Sequence, residues 1–211
     1  MAMASCFICT ARSEKRQNLP WYDVPLRRVD GVGLTLLGVG AVAPGYLLAC
    51  PDAHVRSLAA MPQWMAAPFL SLVDAAVADL TCRFGPVLVF EHGACESAVR
   101  TSACVDHAHL HLWALADRVA LTLPRYWATY PDLRSFVAET RATALPSYLL
   151  HSDESGGIRI GPDVGVPQFF RRQIASQLGH PDEWDYAACP FGQHMNATRK
   201  GLDRAGIRHG D

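Results

Sequence analysis

The chain has 211 residues, of which 50% are hydrophobic and 18% charged, with a formal net charge of -1. That composition excludes a disordered or fibrous chain, and the near-neutral charge argues against a surface built for a polyanion such as a nucleic acid. The length suits one generous domain, or one domain with an extension, and a substantial core.

The seven cysteines are odd in number and scattered, and the N-terminal MAMASCFICT runs into the charged ARSEKR with no secretory apolar region between. Reduced thiols and a cytoplasmic location are the expectation. Gly31 to Pro51 carries no charge and approaches the roughly 20 residues that a bilayer requires. Its interior Ala43-Pro44-Gly45 would break a helix, so VGLTLLGV and GYLLAC are expected to be two buried strands of a hairpin, with no membrane partner. A helix should follow, because Phe69, Leu72, Val73, Ala76, Val77 and Leu80 recur at helical spacing, Pro68 suits a first turn and Gly85 a stop. PVLVFEHG, from Pro86, is a predicted strand. A looser stretch from Ala94 to Thr101 leads to SACVDHAHLHLWAL, the predicted central strand.

Beyond about Arg118 the pattern weakens. A helix is expected near Asp132 to Arg141, a turn at SGGIRIG, and a better helix at PQFFRRQIASQLG, where Pro167 starts, Phe170, Ile174 and Leu178 form a stripe, and Gly179 stops. The order of elements predicts an α+β fold with a largely antiparallel sheet and a helix on one face, over residues 1–117, and a C-terminal helical extension, 118–211, packed on the same domain.

Residues two apart in a strand share a face, so His107, His109 and His111 project together while Ala108, Leu110 and Leu112 project to the other side. The apolar side can pack on the helix after Pro68, leaving imidazoles at intervals of about 7 Å on the opposite face. Such a row suits phosphate chemistry: one neutral imidazole attacks phosphorus while a neighbour donates hydrogen bonds or protonates the leaving group. Metal ligation by two of the rings is the competing reading. Cys6 and Cys9, in SCFIC, have a spacing that fits two thiolates on one tetrahedral zinc, and fits equally a redox pair or two unremarkable thiols.

His107-Ala108-His109-Leu110-His111-Leu112-Trp113 resembles the signature of the histidine triad (HIT) hydrolases and transferases, and the strand PVLVFEHG and the loop LLACPDAH resemble that family too, so the likeness covers the first half of the chain. The resemblance implies a HIT-like α+β fold, usually a homodimer, that binds a nucleotide and attacks its α-phosphate with the middle histidine. His109 would then be the nucleophile that forms a nucleotidyl-imidazole, with His111 near the scissile phosphate and His107 in support. It also implies a structural zinc on Cys6, Cys9, His54 of Pro51-Asp52-Ala53-His54, and His107.

The chain departs from the family pattern in two places. Ala103 and Cys104 stand where many members have glutamine and serine, and Phe90-Glu91-His92-Gly93 stands where a member often has asparagine. Glu91, Ser102, Cys104 and Gln168 are therefore the candidates for substrate contacts, with Gln168 a replacement for the missing glutamine. Cys50, Cys82, Cys95 and Cys189 are expected to be small buried groups, Arg171 and Arg172 to be solvated on a helix surface, and His151, His180, His194 and His209 to have no role. The resulting reading is hydrolysis or transfer of a nucleotidyl group from a nucleotide conjugate or a dinucleoside polyphosphate. Its alternatives are a phosphorylase or nucleotidyltransferase, or a nucleotide-binding module without catalysis.

Overall fold

A computed structural model describes residues 6–13, 19–93, 106–140, 143 and 145–204. Their centre is an eight-stranded antiparallel sheet in the order β1-β2-β3-β5-β4-β7-β8-β6. The strands are β1 (Arg27–Val29), β2 (Gly33–Leu37), β3 (Tyr46–Pro51), β4 (Leu88–Gly93), β5 (Leu110–Trp113), β6 (Ala128–Tyr130), β7 (Tyr148–Ser152) and β8 (Ile158–Pro162). The uncharged stretch forms the expected hairpin, with Leu36 opposite Leu48. All five residues of β2 are buried, because both faces of that hairpin are covered.

One face of the sheet lies under α2 (Gln63–Phe84) and α3 (Leu133–Thr140). There Leu47, Ala49, Leu110, Leu112 and Leu150 meet Phe69, Leu72, Val73, Ala76 and Leu80 of α2. α2 has a mean hydropathy of 1.4 over its most apolar stretch and is long enough to cross a bilayer, but this stripe is buried on the sheet. The helix begins earlier than the pattern predicts, with Pro62 as its N-cap and Pro68 in its interior. Apolar periodicity could not reveal that first turn, because Gln63 and Trp64 face solvent. Gly85, at φ 105°, ends it as expected.

The opposite face carries Tyr46, Leu88, Phe90, Trp113 and Leu149, covered by Phe170 and Ile174 of α4 (Phe169–Gln177). A third group joins Ile8 and Ala11 of α1 (Phe7–Arg12) to Leu34, Leu36 and Cys50. The extension beyond Arg118 supplies the expected helices α3 and α4 and, in addition, three strands: β7 pairs directly with β4, setting Phe90 opposite His151. It also supplies α5 (Gly192–Arg204), for which the sequence reading had no element; its apolar stripe is reduced to Met195 and Leu202, with Thr198 and Gly201 filling the other buried positions.

Arg171 corrects the expectation of a solvated helix surface. It is 6% exposed, and its guanidinium donates to the backbone oxygens of Val39 and Gly40, in the β2–β3 connection, to Trp184 O and to the side chain of Gln168. Gly40, at φ +77°, lies where any side chain would collide with that guanidinium and with Tyr186. Arg171→Met keeps the apolar stem but strips several buried acceptors of their donor. We expect a loss of about 3 kcal/mol, the scale for leaving buried polar groups unpaired, read as a lower urea midpoint at unchanged slope.

Candidate active site and metal-ligand cluster

β5 begins at Leu110, so His107 and His109 precede the regular strand and only His111 lies within it. This corrects the picture of three evenly spaced rings. His107 turns away toward α1, while His109 and His111 stay together with ring centres 4.8 Å apart. The segment before the strand is anchored by Ala108 N–H, which donates to Val55 O at 2.6 Å.

His107 is 1% exposed. Its Nε2–H donates to Pro51 O at 2.8 Å, so the Nδ1 lone pair faces Cys6 Sγ at 3.5 Å and Cys9 Sγ at 3.6 Å. His54 Nδ1 lies 3.1 Å from Cys9 Sγ. The donor atoms of Cys6, Cys9, His54 and His107 all lie within 4.8 Å of one another. A tetrahedron with metal–sulfur bonds of about 2.3 Å and metal–nitrogen bonds of about 2.0 Å has sulfur-to-nitrogen edges of about 3.5 Å. Donor type, tautomer and spacing therefore fit a metal ion, and four protein ligands leave it no open position. Burial, followed by the neighbouring Cys6 sulfur, pushes the Cys9 thiol up, a bias that a cation between the sulfurs would reverse. Burial lowers His107 to about 4, so its ring is neutral, as a ligand must be. Cys6, Cys9, Cys50, Cys82 and Cys189 are all free thiols.

His109 and His111 line a cavity of about 370 Å³ whose walls are largely apolar, among them Leu48, Phe90, Leu149, Phe169 and Phe170. His109 Nδ1–H donates to its near neighbour, the His107 carbonyl, at 2.8 Å. Burial lowers its pKa, against that hydrogen bond, with His92 adding to the fall. The ring is thus neutral with its free lone pair on Nε2. His111 stacks on Phe90 at 4.4 Å between ring centres and pairs through Nδ1 with Tyr46 Oη at 2.6 Å. Burial, then His109 and Arg171, hold its pKa well below the usual histidine range. The Arg171 guanidinium, 5.9 Å from the Tyr46 ring centre, faces the same phenol. A cation there turns the phenolic oxygen toward itself and the proton toward His111 Nδ1, which leaves His111 with its N–H on Nε2. The two rings thus carry opposite tautomers, His109 with a free lone pair and His111 with an N–H on Nε2.

The remaining candidates divide. Gln168 lines the cavity at a left-handed φ of 53°, and this break in the helical path moves the start of α4 from Pro167 to Phe169. Its amide is already engaged, donating to Asp185 and accepting from Arg171 and Tyr186 N–H. Glu91 is a correction. It is 1% exposed on the α2 face of the sheet, away from the cavity, where it accepts from Leu58 N–H at 2.8 Å and from the Tyr148 hydroxyl. Ser102 and Cys104 lie outside the described residues. The sequence reading missed Tyr46 and Phe90, which hold His111, and it missed His92, which lines the cavity with its Nε2 2.9 Å from Asp163 Oδ2. Alternation along β4 was the available signal: Phe90 and His92 share the face of His111, and Glu91 does not.

No protein-family model matches the chain, and no curated protein does. The chain is similar to two solved HIT structures. A HIT-like protein involved in cell-cycle regulation from Bartonella henselae, solved with an unknown ligand, is 20% identical over 47% of this chain and 73% of that one, with a TM-score of 0.37. A HIT family hydrolase from Clostridium thermocellum is 18% identical over 57% of this chain and 99% of that one, with a TM-score of 0.38.

Glu91 generates a pH prediction. Burial raises its pKa to about 7, against the hydrogen bonds from Tyr148 and Leu58. A carboxyl with a raised folded-state pKa contributes stability that is fully present below the unfolded value and is lost as pH rises through the folded one. Between about pH 4.5 and 7 the native protein should therefore lose about 3 kcal/mol relative to Glu91→Gln, measured as the difference between their urea unfolding curves across that window. A constant difference from pH 4 to 8 would show that Glu91 titrates alike in the folded and unfolded states, and would remove the burial effect.

Proposed function

We propose that the protein is a nucleotide-processing enzyme that transfers a nucleotidyl group to His109 Nε2 and then to water or another acceptor. The observation that carries this reading is the hydrogen bond from His109 Nδ1–H to the His107 carbonyl, because it fixes the tautomer that a nitrogen nucleophile requires. Attack places the incoming Nε2 and the leaving group on opposite sides of phosphorus. His111 Nε2–H, on the adjacent ring, donates to a non-bridging oxygen as charge develops there. The apolar walls suit a nucleoside base and exclude water from the reacting phosphate. The motif's resemblance to the HIT signature supports the choice of a nucleotide, with a nucleotide conjugate or a dinucleoside polyphosphate as the substrate class. Nothing in this sequence of steps requires a redox cofactor.

We assign zinc to the cluster of Cys6, Cys9, His54 and His107, since two thiolates and two imidazoles are the donor set that ion prefers. Bound there, zinc would supply structure, fastening α1 to the segment that carries His109. Thiolate ligands also suit a reducing compartment, in keeping with a cytoplasmic location. Purified protein should hold about one zinc per chain, because such closed four-ligand sites are filled singly. Cys6→Ser and His54→Ala should each lower both the metal content and the melting temperature, since binding and folding are coupled. Full occupancy with unchanged melting in both variants would remove the site.

The nucleophile is tested directly. His109→Ala should lose roughly 10⁴-fold or more in turnover, the scale for removing a covalent nucleophile, while still binding nucleoside monophosphate. His111→Ala should lose about 10²-fold to 10³-fold, the scale for one donor to a developing charge. The expected adduct is a nucleotidyl group on His109, trapped without acid and located by peptide mass spectrometry. An adduct on another residue, or an active His109→Ala enzyme, would overturn the assignment. Monophosphate release measured with and without added inorganic phosphate separates a hydrolase from a phosphorylase.

A further inference from the structure

A nucleotidyl transfer needs a proton for the leaving group, and neither ring of the central pair is placed to supply it. The one N–H of neutral His109 is spent on a backbone carbonyl. His111 is stacked on Phe90 and tied to Tyr46, an apolar sandwich next to Arg171 in which a second positive charge is costly. A third imidazole stands on the same wall. His92 follows Phe90 by two residues in β4 and therefore shares its face. β4 and β5 pair antiparallel with Phe90 opposite His111, and just past that last pair His92 is an electrostatic neighbour of both His109 and His111. All three rings line the cavity.

His92 differs from the other two rings in having a counter-ion. Its Nε2 lies 2.9 Å from Asp163 Oδ2, just past the end of β8, and the two side chains are 25% and 26% exposed. Asp163 is itself held, with Oδ1 accepting from Gly165 N–H at 2.9 Å. Burial pulls the Asp163 carboxyl upward, but the hydrogen bond from His92 and the Gly165 amide outweigh it, and the group stays below the usual carboxylate range. With Nε2 engaged, the exchangeable position of His92 is Nδ1. The ionisable groups that face this ring are Asp163 after β8 and, across the cavity side, His109 and His111; Asp23 and Arg171 complete the charged groups of the wall among the described residues.

We propose that His92, oriented by Asp163, is the proton carrier of the reaction, acid to the leaving group and then base to the incoming water. This rests on the reading of His109 as nucleophile. In the first step His109 Nε2 bonds to phosphorus, the bond from phosphorus to the leaving group breaks, and the departing electron pair takes the proton from His92 Nδ1. In the second step water attacks phosphorus, gives its proton to the now neutral His92 Nδ1, and the bond to His109 breaks with its electron pair returning to Nε2. The net change is addition of water across the cleaved bond. His92 ends protonated, as it began. Asp163 is the positioning residue: its oxygen, 2.9 Å from Nε2, fixes which nitrogen faces the reaction.

The test compares leaving groups that differ in their need for a proton. The probes are a nucleoside 5′-(4-nitrophenyl phosphate), whose phenolate leaves unaided, and a nucleoside 5′-phosphomorpholidate, whose amine must be protonated. His92→Gln keeps an N–H for Asp163 and so keeps the fold, as its melting temperature will report. It should slow first-turnover release of nitrophenolate by less than about tenfold and release of morpholine by more than about hundredfold, the range spanned by general acid catalysis. Added imidazole should restore part of the morpholidate activity of His92→Ala. Asp163→Asn should cost more of the morpholidate activity than of the nitrophenyl activity, because Nε2 of His92 loses the carboxylate that holds Nδ1 toward the leaving group.

Equal losses on both probes, or none on either, would overturn the role of His92 and leave a clasp between strand ends. Wild-type protein that forms no nucleotidyl-His109 adduct with either probe would instead overturn the underlying reading. A normal adduct with equal losses removes only His92.

Discussion

The position of His107 is the constraint on which the site depends. Its ring and its carbonyl face different tasks: the ring, pinned by Pro51 O, turns a lone pair toward Cys6 and Cys9, and the carbonyl accepts the Nδ1–H of His109. A displacement of this one residue would loosen the metal-ligand cluster and release the tautomer of His109 together. That explains how a cluster with no open coordination position can still matter to the chemistry. It sets the backbone from which the neighbouring imidazole is held.

Two rings of the same kind acquire opposite roles because their partners differ. A backbone carbonyl can only accept, so it fixes the proton of His109 on Nδ1. The Tyr46 hydroxyl can donate or accept, and the guanidinium of Arg171 tips it toward donating to His111. Neutrality of both rings follows from their surroundings, since burial opposes charge on each. The sheet enforces the pairing: Phe90 lies opposite His111 on β4, and Leu48 of β3 lies opposite it on the other side.

The parts of this arrangement that repeat in sequence were legible there. Alternation of histidine with Ala108, Leu110 and Leu112 separated the two faces of β5, and the stripe from Phe69 to Leu80 found the helix beneath the apolar one. The CxxC spacing, the Pro-x-x-His loop and the first histidine of the triad, joined by the resemblance to HIT proteins, named four residues that the fold brings together. What was not legible depends on long-range closure. Arg171 reads as a surface charge because two of its acceptors, the oxygens of Val39 and Gly40, lie about 130 residues earlier, and no local pattern announces backbone oxygens in a distant loop. Glu91 became a candidate for the substrate because Phe90-Glu91-His92-Gly93 stands where HIT members often have asparagine, although the period of the strand already sends it to the other face from Phe90 and His92. α5 escaped notice because only two of its four buried residues, Met195 and Leu202, are strongly apolar.

The extension beyond Arg118 is joined to the site by more than packing. β7 continues the sheet past β4, so that β8 can end beside His92 and deliver Asp163 to it, while α4 closes the cavity over His111 and carries Arg171 to the β2–β3 connection. Each contribution comes from a different element, and each bears on a different histidine: the carboxylate holds Nε2 of His92, and the guanidinium opposes charge on His111. The first half of the chain thus places three imidazoles on one wall, and the second half makes them unequal. Division of labour among identical side chains requires such unequal surroundings, because the rings themselves are chemically the same.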